Sequence, residues 1–220
     1  MMAGKRGCTG QEAAWKEDPK MWDWGYAREN VYPILMPAGN ENPLGETVHT
    51  MLLDLAVAYA IRGGTHGEGG GTLTVDVSLL ESYGVSRQEL HRQALKNMDR
   101  DGYCFRRLEE ILFGIPGLRI EEGPGEAVRI YVLTNRDGCY GAAGLLNQEK
   151  VKEFAGGCDY YILPASIHEL LFVPAGDIEE PGQLDGIVEE VSLMAVAEEE
   201  RLSYHSYFYD AASGGVRLCR

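Results

Sequence analysis

Four segments of the chain have the hydrophobic pattern of β-strands. Residues 72–77 alternate between apolar and polar side chains, which is typical of a strand that buries one face. Residues 128–135, 158–163 and 167–173 are rich in β-branched and other apolar residues, which favour strands. A hairpin signal at Asp137-Gly138 and a corner at Pro164-Ala165-Ser166 lie among the later segments, so we expect one mostly antiparallel sheet.

Three further segments have the spacing of helices. Residues 51–61 are apolar nearly all round, which predicts a buried helix packed against the sheet. Ser86 followed by Glu89 is a capping-box sequence and predicts a helix that continues to residue 97. After Pro181, apolar residues recur at helical spacing and predict an amphipathic helix: Leu184, Ile187, Val188, Val191 and Met194. The sequence therefore predicts an α+β fold with a central, mostly antiparallel sheet and helices packed on one face.

Turn-forming residues join these elements. Asp137-Gly138 between two apolar runs is a hairpin signal. We therefore expect residues 139–146 to return as a strand, with small side chains where another backbone comes close. A corner at Pro164-Ala165-Ser166 should join two strands, residues 105–113 should form a short helix, and residues 204–219 a terminal hairpin.

The chain of 220 residues is long enough for one large domain or two small ones. Its polar, glycine-containing beginning predicts a loosely ordered tail over residues 1–27, and we expect a single α+β domain over residues 28–220. Residues 63–71 are rich in glycine but lack the Lys-Ser/Thr that ends a phosphate-binding loop, so they predict a surface loop.

Charge and cysteine content narrow the class of protein. The net charge of −14 disfavours binding to nucleic acid and to anionic membranes. The longest apolar run, residues 51–61, is too short to cross a bilayer, which takes about 20 residues. The cysteine count is odd and contains no C-x-x-C pair, which favours reduced thiols. With no signal-peptide pattern at the N-terminus, we expect a cytoplasmic protein without a cofactor.

Several segments together resemble an uncharacterised bacterial family, a domain of unknown function found mainly in Gram-positive anaerobes. They are LLDLAVAYA at 52–60, YGVSRQELHRQALKN at 83–97, YVLTN at 131–135, GAAGLL at 141–146 and YILPASIHELLFVP at 161–174. The resemblance spans roughly residues 28–212. It implies a bacterial intracellular origin and a further N-terminal region that this chain mostly lacks, and it supplies no reaction. Val48-His49-Thr50 departs from the Pro-His-Arg of the family.

The corner at residues 164–169 carries the candidate catalytic side chains, namely Ser166, His168 and Glu169. His168-Glu169 lacks the second histidine, four residues on, that a zinc peptidase helix requires, because Phe172 stands there. On a strand, Ser166 and His168 would share a face, so a Ser/His hydrolase is one alternative. The other is a structural corner in which both side chains are hydrogen-bonded within the sheet.

Asp54 is a further candidate, because an ionised carboxylate in an apolar segment needs a partner. Structural use of Asp54 is favoured over catalytic use. The histidines and cysteines show no metal-ligand spacing, so we expect no metal site.

Residues 78–97 have an alternative interpretation as a helix-turn-helix, with Arg87, Gln88, Arg92 and Lys96 exposed on a recognition helix. This would make the protein a DNA-binding regulator, although the total charge disfavours nucleic acid.

Two segments could meet a protein partner. Residues 177–200 contain nine acidic residues and no basic one. Residues 15–26 contain three tryptophans and a tyrosine, which predict either a lid on the core or a docking surface. We therefore predict a non-catalytic intracellular binding or regulatory module.

Overall fold

The computed structural model describes residues 16–38, 44–63, 71–114 and 128–219. Contacts divide the chain into two compact units, one ending at Gly102 and one beginning at Tyr103, where the sequence analysis expects one domain. The predicted α+β class is confirmed, and the strand pairs of the described residues are antiparallel. These strands form two sheets, one in each unit, so the predicted single sheet is wrong.

The described residues of the first unit form four strands and three α-helices. They are β1 (Val31–Pro37), β2 (His49–Leu52), β3 (Leu55–Arg62), β4 (Thr72–Thr74), α1 (Trp24–Asn30), α2 (Val77–Tyr83) and α3 (Arg87–Asn97). Strand β3 has β1 along one edge, and β2 followed by β4 along the other. Its residues 55–61 are buried, so β3 forms the centre of this unit's core.

The helix predicted over residues 51–61 is wrong. Residues 51 and 52 belong to β2, and residues 55–61 belong to β3. The two strands form a hairpin whose turn places Leu53 in the left-handed region, at φ 57°. A strand with neighbours on both edges and cover on both faces is apolar throughout, so its sequence resembles that of a buried helix.

Residues 19–27, which we expected in a loose tail, form helical structure. A 3-10 helix, Pro19–Trp22, precedes α1, and Asp23 caps α1 by accepting from the Gly25 and Tyr26 amides. Met21 and Ala27 are fully buried in the core of the first unit. Burial of these apolar side chains therefore orders the segment.

The described residues of the second unit form six strands and three α-helices. They are β5 (Cys104–Arg107), α4 (Leu108–Phe113), β6 (Tyr131–Thr134), α5 (Gln148–Ala155), β7 (Tyr160–Ser166), β8 (Glu169–Pro174), α6 (Leu184–Ala195), β9 (Tyr207–Asp210) and β10 (Gly215–Leu218). The sheet has the order β10-β9-β7-β8-β6-β5. The predicted hairpin near the C-terminus is present as β9 and β10.

Two predictions in the second unit are wrong in part. Residues 139–146 do not return as a strand, because Gly141–Leu146 is a 3-10 helix. The expected close approach of another backbone is correct at Gly141, where a Cβ would lie 2.8 Å from the Asn135 backbone nitrogen. Residues 105–113 begin as strand β5 before they become helix α4. Arg106 and Arg107 stand between Phe105 and Leu108 without a turn-forming residue, so the sequence gives no sign of the change from strand to helix.

Candidate functional site

The β7–β8 hairpin places the predicted corner two residues later than expected. Strand β7 continues through Pro164 to Ser166, the turn is at Ile167 and His168, and Ser166 pairs with Glu169 across the hairpin. The register shifts between Pro164 and Ser166. Ser166 and His168 are both buried, and His168 is only 1% exposed.

The imidazole of His168 has a contact at each ring nitrogen. The Tyr140 amide donates to Nδ1 over 3.0 Å, so Nδ1 must present its lone pair and the ring proton lies on Nε2. Nε2 is 3.2 Å from Oε1 of Glu200. These contacts define the tautomer of His168 and make the residue a link between two loops of the second unit.

This arrangement differs from a Ser/His hydrolase pair. Ser166 Oγ accepts a hydrogen bond from the His168 backbone amide over 3.1 Å. Since Nδ1 accepts from the Tyr140 amide and Nε2 faces Glu200, the ring has no nitrogen with which to take the Ser166 proton. The geometry therefore favours the structural interpretation of the corner.

Three segments that carry the family resemblance meet at this corner. Thr134 Oγ1 donates to the His168 carbonyl over 3.1 Å, and the Asn135 side chain bonds both the amide and the carbonyl of Cys139. A Cβ at Gly141 would lie 2.5 Å from the His168 oxygen and 2.6 Å from Thr134 Oγ1. The distinctive sequence of these segments thus serves close backbone packing.

The remaining catalytic candidates lie apart from this network. Glu169 begins β8 and is half-buried. Asp54 lies in the β2–β3 turn of the first unit, where it is half-buried rather than enclosed in a helix. Asp54 and His168 thus belong to different units.

Sequence reasoning missed two partners of His168, namely Tyr140 and Glu200. Tyr140 has a left-handed backbone, with φ 54°, which turns its amide toward the imidazole. Glu200 ends a 3-10 helix, and its carbonyl accepts from the Ile167 amide over 2.9 Å. They lie 28 and 32 residues from His168 in sequence, so no local pattern could have indicated them.

Helix α6 exposes more large apolar side chains than the other α-helices in the described part of the second unit. Leu184 and Val188 are buried, as is Ser192. Three apolar side chains at helical spacing remain in solvent and are here called the α6 stripe: Ile187 at 48% exposure, Val191 at 48% and Met194 at 80%. With 3.6 residues per turn, these three lie within an arc of about 60°. Leu193, which lies about 100° from Met194 around the helix axis, is also exposed.

Polar contacts hold α6 at both ends. Near its N-terminus, Asp185 Oδ1 accepts from the amide and hydroxyl of Ser206, both at 2.6 Å. At its C-terminus, Arg201 Nε donates to the carbonyls of Ser192 and Val196, at 3.1 and 3.2 Å. The two hydrogen bonds from Arg201 satisfy carbonyls that the C-terminal end of a helix leaves without partners. Because Arg201 follows Glu200, the His168 corner also supports this end.

Opposing effects set the pKa of Asp185. Burial raises it, and the hydrogen bonds from Ser206 together with the contact to His205 lower it by more, so the pKa lies below its ordinary value. Asp185 is therefore ionised at neutral pH, as its bonds to two donors of Ser206 require.

The aromatic residues at 22–26 pack on the first unit. Trp24 lies against Tyr83, with ring centroids 5.5 Å apart. Tyr26 donates from its hydroxyl to the Arg62 carbonyl over 3.2 Å, and Trp22 donates from Nε1 to the Lys16 carbonyl over 2.9 Å. These contacts favour the lid interpretation over a docking surface. Trp15 lies outside the described residues.

Helices α2 and α3 are separated by a three-residue turn at 84–86, as the helix-turn-helix alternative requires. Ser86 caps α3 by accepting from the Glu89 amide over 3.1 Å. Gln88, Arg92 and Lys96 are exposed four residues apart, and Arg92 also bonds Glu89.

The described residues contain neither a metal-binding group nor a membrane-spanning helix. No group of three or more His, Cys, Asp or Glu side chains there is placed to hold a metal ion. None of the helices in the described ranges has both the length and the apolar character that crossing a membrane requires. Cys104, Cys158 and Cys219 are free thiols. Cys139 is disulfide-bonded, so the expectation of reduced thiols is wrong for this residue.

Comparison with known proteins assigns the chain to a family without assigning a reaction. The model of the Family of unknown function (DUF5688) matches residues 9–211, so the chain belongs to this family. This confirms the resemblance to a domain of unknown function. No match was found among curated proteins or among solved structures.

Proposed function

We propose that this member of a family of unknown function is a non-catalytic protein-binding module, and that the α6 stripe docks a helical segment of another protein. The observation that supports the proposal is the 80% exposure of Met194, beside two further exposed apolar residues, on a helix whose two ends are anchored. Apolar side chains in one row on a monomer are typical of an interaction site.

The anchoring of α6 supports docking rather than simple surface irregularity. A helix held by Ser206 at one end and by Arg201 at the other presents its outer face in a fixed geometry. A preformed surface loses little conformational entropy when it binds, which favours association. Residues spaced as in the stripe are those that pack against one face of a second helix.

Identified partners test this proposal. The immobilised chain is exposed to an extract of its source cells, and retained proteins are identified, purified and titrated by calorimetry. We expect at least one purified partner to bind the parent at least about tenfold more tightly than Val191→Ser/Met194→Ser, since buried apolar anchors dominate such interfaces.

The proposal is wrong if every purified partner binds the parent and Val191→Ser/Met194→Ser equally, or if no retained protein binds after purification. Sedimentation of the parent alone provides the remaining outcome. A parent that dimerises, with a variant that does not, would assign the stripe to a second copy of the chain.

DNA binding is the second candidate, and the α2–α3 pair is the observation that favours it. It ranks second because the net charge of −14 opposes the phosphate attraction that supplies most non-specific affinity. In an anisotropy titration at about 150 mM salt we expect no binding in the specific range near 10⁻⁸ M. Tight binding that is lost in Arg87→Ala/Arg92→Ala would reverse this ranking.

A cytoplasmic location is part of the proposal. The free thiols of Cys104, Cys158 and Cys219 support it, and the disulfide at Cys139 argues against it. Labelling of thiols in intact cells, followed by mass spectrometry, tests the compartment. All five cysteines should be labelled in reducing surroundings, and labelling of Cys104, Cys158 and Cys219 alone would contradict the cytoplasmic location.

A further inference from the structure

We infer that the segment docked on the α6 stripe is a basic amphipathic helix, an inference that rests on the proposed function. Its apolar side chains would cover Ile187, Val191 and Met194, and its lysines or arginines would face the carboxylates around them. Both halves of this description follow from side chains in and around α6.

The acidic residues of segment 177–200 divide into those that have structural partners and those that do not. Asp177 accepts from Nε and Nη2 of Arg129, at 2.8 and 2.6 Å. Asp185 accepts from Ser206, and Glu200 faces His168. These three carboxylates serve the fold of the second unit.

Five other carboxylates in this segment are exposed and lie in no ion pair within the part of the chain that the structure describes. They are Glu179, Glu189, Glu190, Glu198 and Glu199. An uncompensated acidic group of this size attracts cations through solvent over about 8–10 Å at moderate salt. The surplus negative charge is available to a partner because the fold does not use it.

Helical geometry places this charge beside the stripe. Successive residues turn by about 100°, so Glu190 lies about 40° from Met194 around the helix axis. Glu198 and Glu199 follow the end of α6 within five residues of Met194. Their negative charge thus lies beside and beyond one end of the stripe, where a helix lying along α6 would carry its flanking side chains.

The same charges disfavour two other occupants. A second copy of the chain would bring two such acidic groups together, and like charges across an interface are repulsive. An anionic membrane would meet the same repulsion. A partner with an apolar row and positive charge beside and beyond one end of it satisfies the apolar and the electrostatic requirement together.

Three labelled peptides test the inference. Each has about 18 residues and would be about 27 Å long as a helix. The lysine peptide has leucines at helical spacing and lysines elsewhere. The glutamate peptide replaces every lysine with glutamate, and the scrambled peptide keeps the lysine composition but loses the apolar row. Each is titrated with the full chain by fluorescence anisotropy.

Two pairs of variants separate the apolar from the charged contribution. Val191→Ser/Met194→Ser removes apolar anchors without changing charge, and Leu112→Ser/Phe113→Ser is its control on α4, where both side chains are equally exposed to solvent. Glu189→Gln/Glu190→Gln removes two charges, with Glu149→Gln/Glu153→Gln on α5 as its control.

We expect the lysine peptide to bind at least about tenfold more tightly than the glutamate and scrambled peptides. Val191→Ser/Met194→Ser should weaken it about tenfold, and Glu189→Gln/Glu190→Gln about threefold, with a smaller loss at high salt. The α4 and α5 controls should bind like the parent.

The outcomes distinguish the two proposals. A glutamate peptide that binds as tightly as the lysine peptide, and loses its binding in Val191→Ser/Met194→Ser, overturns the basic partner and leaves docking at the stripe intact. A lysine peptide that does not bind, or binds all variants alike, overturns both. Self-association of the parent, or co-sedimentation with vesicles of anionic phospholipid that the stripe variant abolishes, would assign the surface to a second copy or a membrane.

Discussion

Helices α3 and α6 are almost equally long, at 11 and 12 residues, and each packs on the sheet of its own unit, but they present opposite surfaces to solvent. Helix α3 buries Leu90 and Ala94 and exposes Gln88, Arg92 and Lys96. Water solvates such a face at little cost.

Helix α6 buries a similar row and then exposes a second one. Its outward residues are Ile187, Val191 and Met194. Covering their apolar surface would lower the free energy by about 25 cal/mol for each Å² removed from water. The exposed face of α3 is therefore suited to water in the isolated chain, whereas the exposed apolar face of α6 is not. The contrast supports the proposal that a partner binds at α6 rather than at α3.

The largest effect should come from the His168 corner, which supports the C-terminal end of α6. His168→Ala leaves a cavity and removes the partners of the Tyr140 amide and Glu200, so we expect a loss of about 2–4 kcal/mol in the free energy of unfolding. Each kcal/mol should lower the melting temperature by roughly 2–4 °C. Hydrogen exchange should accelerate in α6 and remain unchanged in α3.

His205→Ala is the matched control for His168→Ala, because His205 is exposed. It should change the free energy of unfolding by less than about 0.5 kcal/mol. Equal melting temperatures for the two variants would show that the buried imidazole does not hold the corner.

The corresponding anchor of α3 is Asn97, which is buried. Its Nδ2 donates to the carbonyls of Arg28 and Val31, at 2.9 and 2.8 Å. Asn97→Ala should cost about 1–3 kcal/mol, because two buried carbonyls lose their donor. Exchange should accelerate in α3 and not in α6, and Lys96→Ala, at an exposed position of the same helix, should have little effect. Faster exchange in both helices would contradict independent anchoring.

A smaller, pH-dependent effect should distinguish α6 from α3. The folded pKa of Asp185 lies below its ordinary value of 3.8, so its contribution to stability is fully present above about pH 4 and is lost as the pH falls through the folded pKa. Exchange in α6 should therefore rise below about pH 4 in the parent. In Asp185→Asn that extra rise should be absent, and a parent-like rise in this variant would exclude Asp185 as its cause.

The smallest effect, a gain, should come from Gly186 on the exposed side of α6. A Cβ there meets nothing within 4 Å, and alanine stabilises a helix relative to glycine by about 0.8–1.0 kcal/mol. Gly186→Ala should therefore raise the melting temperature slightly without weakening peptide binding. Gly176→Ala, also unobstructed but in a 3-10 helix, should change it less. A loss of stability in Gly186→Ala would show that α6 needs this glycine.

Local patterns were enough to predict several elements of the fold. The strands that contain residues 131–134 and 169–173, and the helices α3 and α6, were expected from the spacing of apolar residues. Residues 51–61 were assigned to a helix because an uninterrupted apolar run fits both a buried helix and a central strand. The division into two sheets depends on pairing between distant strands, which spacing along the chain does not encode.

The candidate surface was predictable only in part. The apolar residues of α6 were all expected on one buried face, yet Leu184 and Val188 are buried while Ile187, Val191 and Met194 are exposed. The five residues span about 120° around the helix axis, and the buried side of α6 is centred between Leu184 and Ser192, so only Leu184 and Val188 of the five lie on it. A sequence pattern shows which residues are apolar, and the neighbouring strand decides which of them it covers.

The bonding of His168 has a consequence for how the family can diverge. One imidazole meets the amide of Tyr140 and the carboxylate of Glu200, while its backbone carbonyl accepts from Thr134 and leaves Gly141 no room for a side chain. A substitution at His168, Thr134 or Glu200 removes a bonding partner, and a side chain at Gly141 creates a collision, whereas Tyr140 contributes a backbone amide. Relatives should therefore keep His168, Thr134, Glu200 and Gly141 or replace them together, and covariation at these four positions would be the evolutionary trace of this corner.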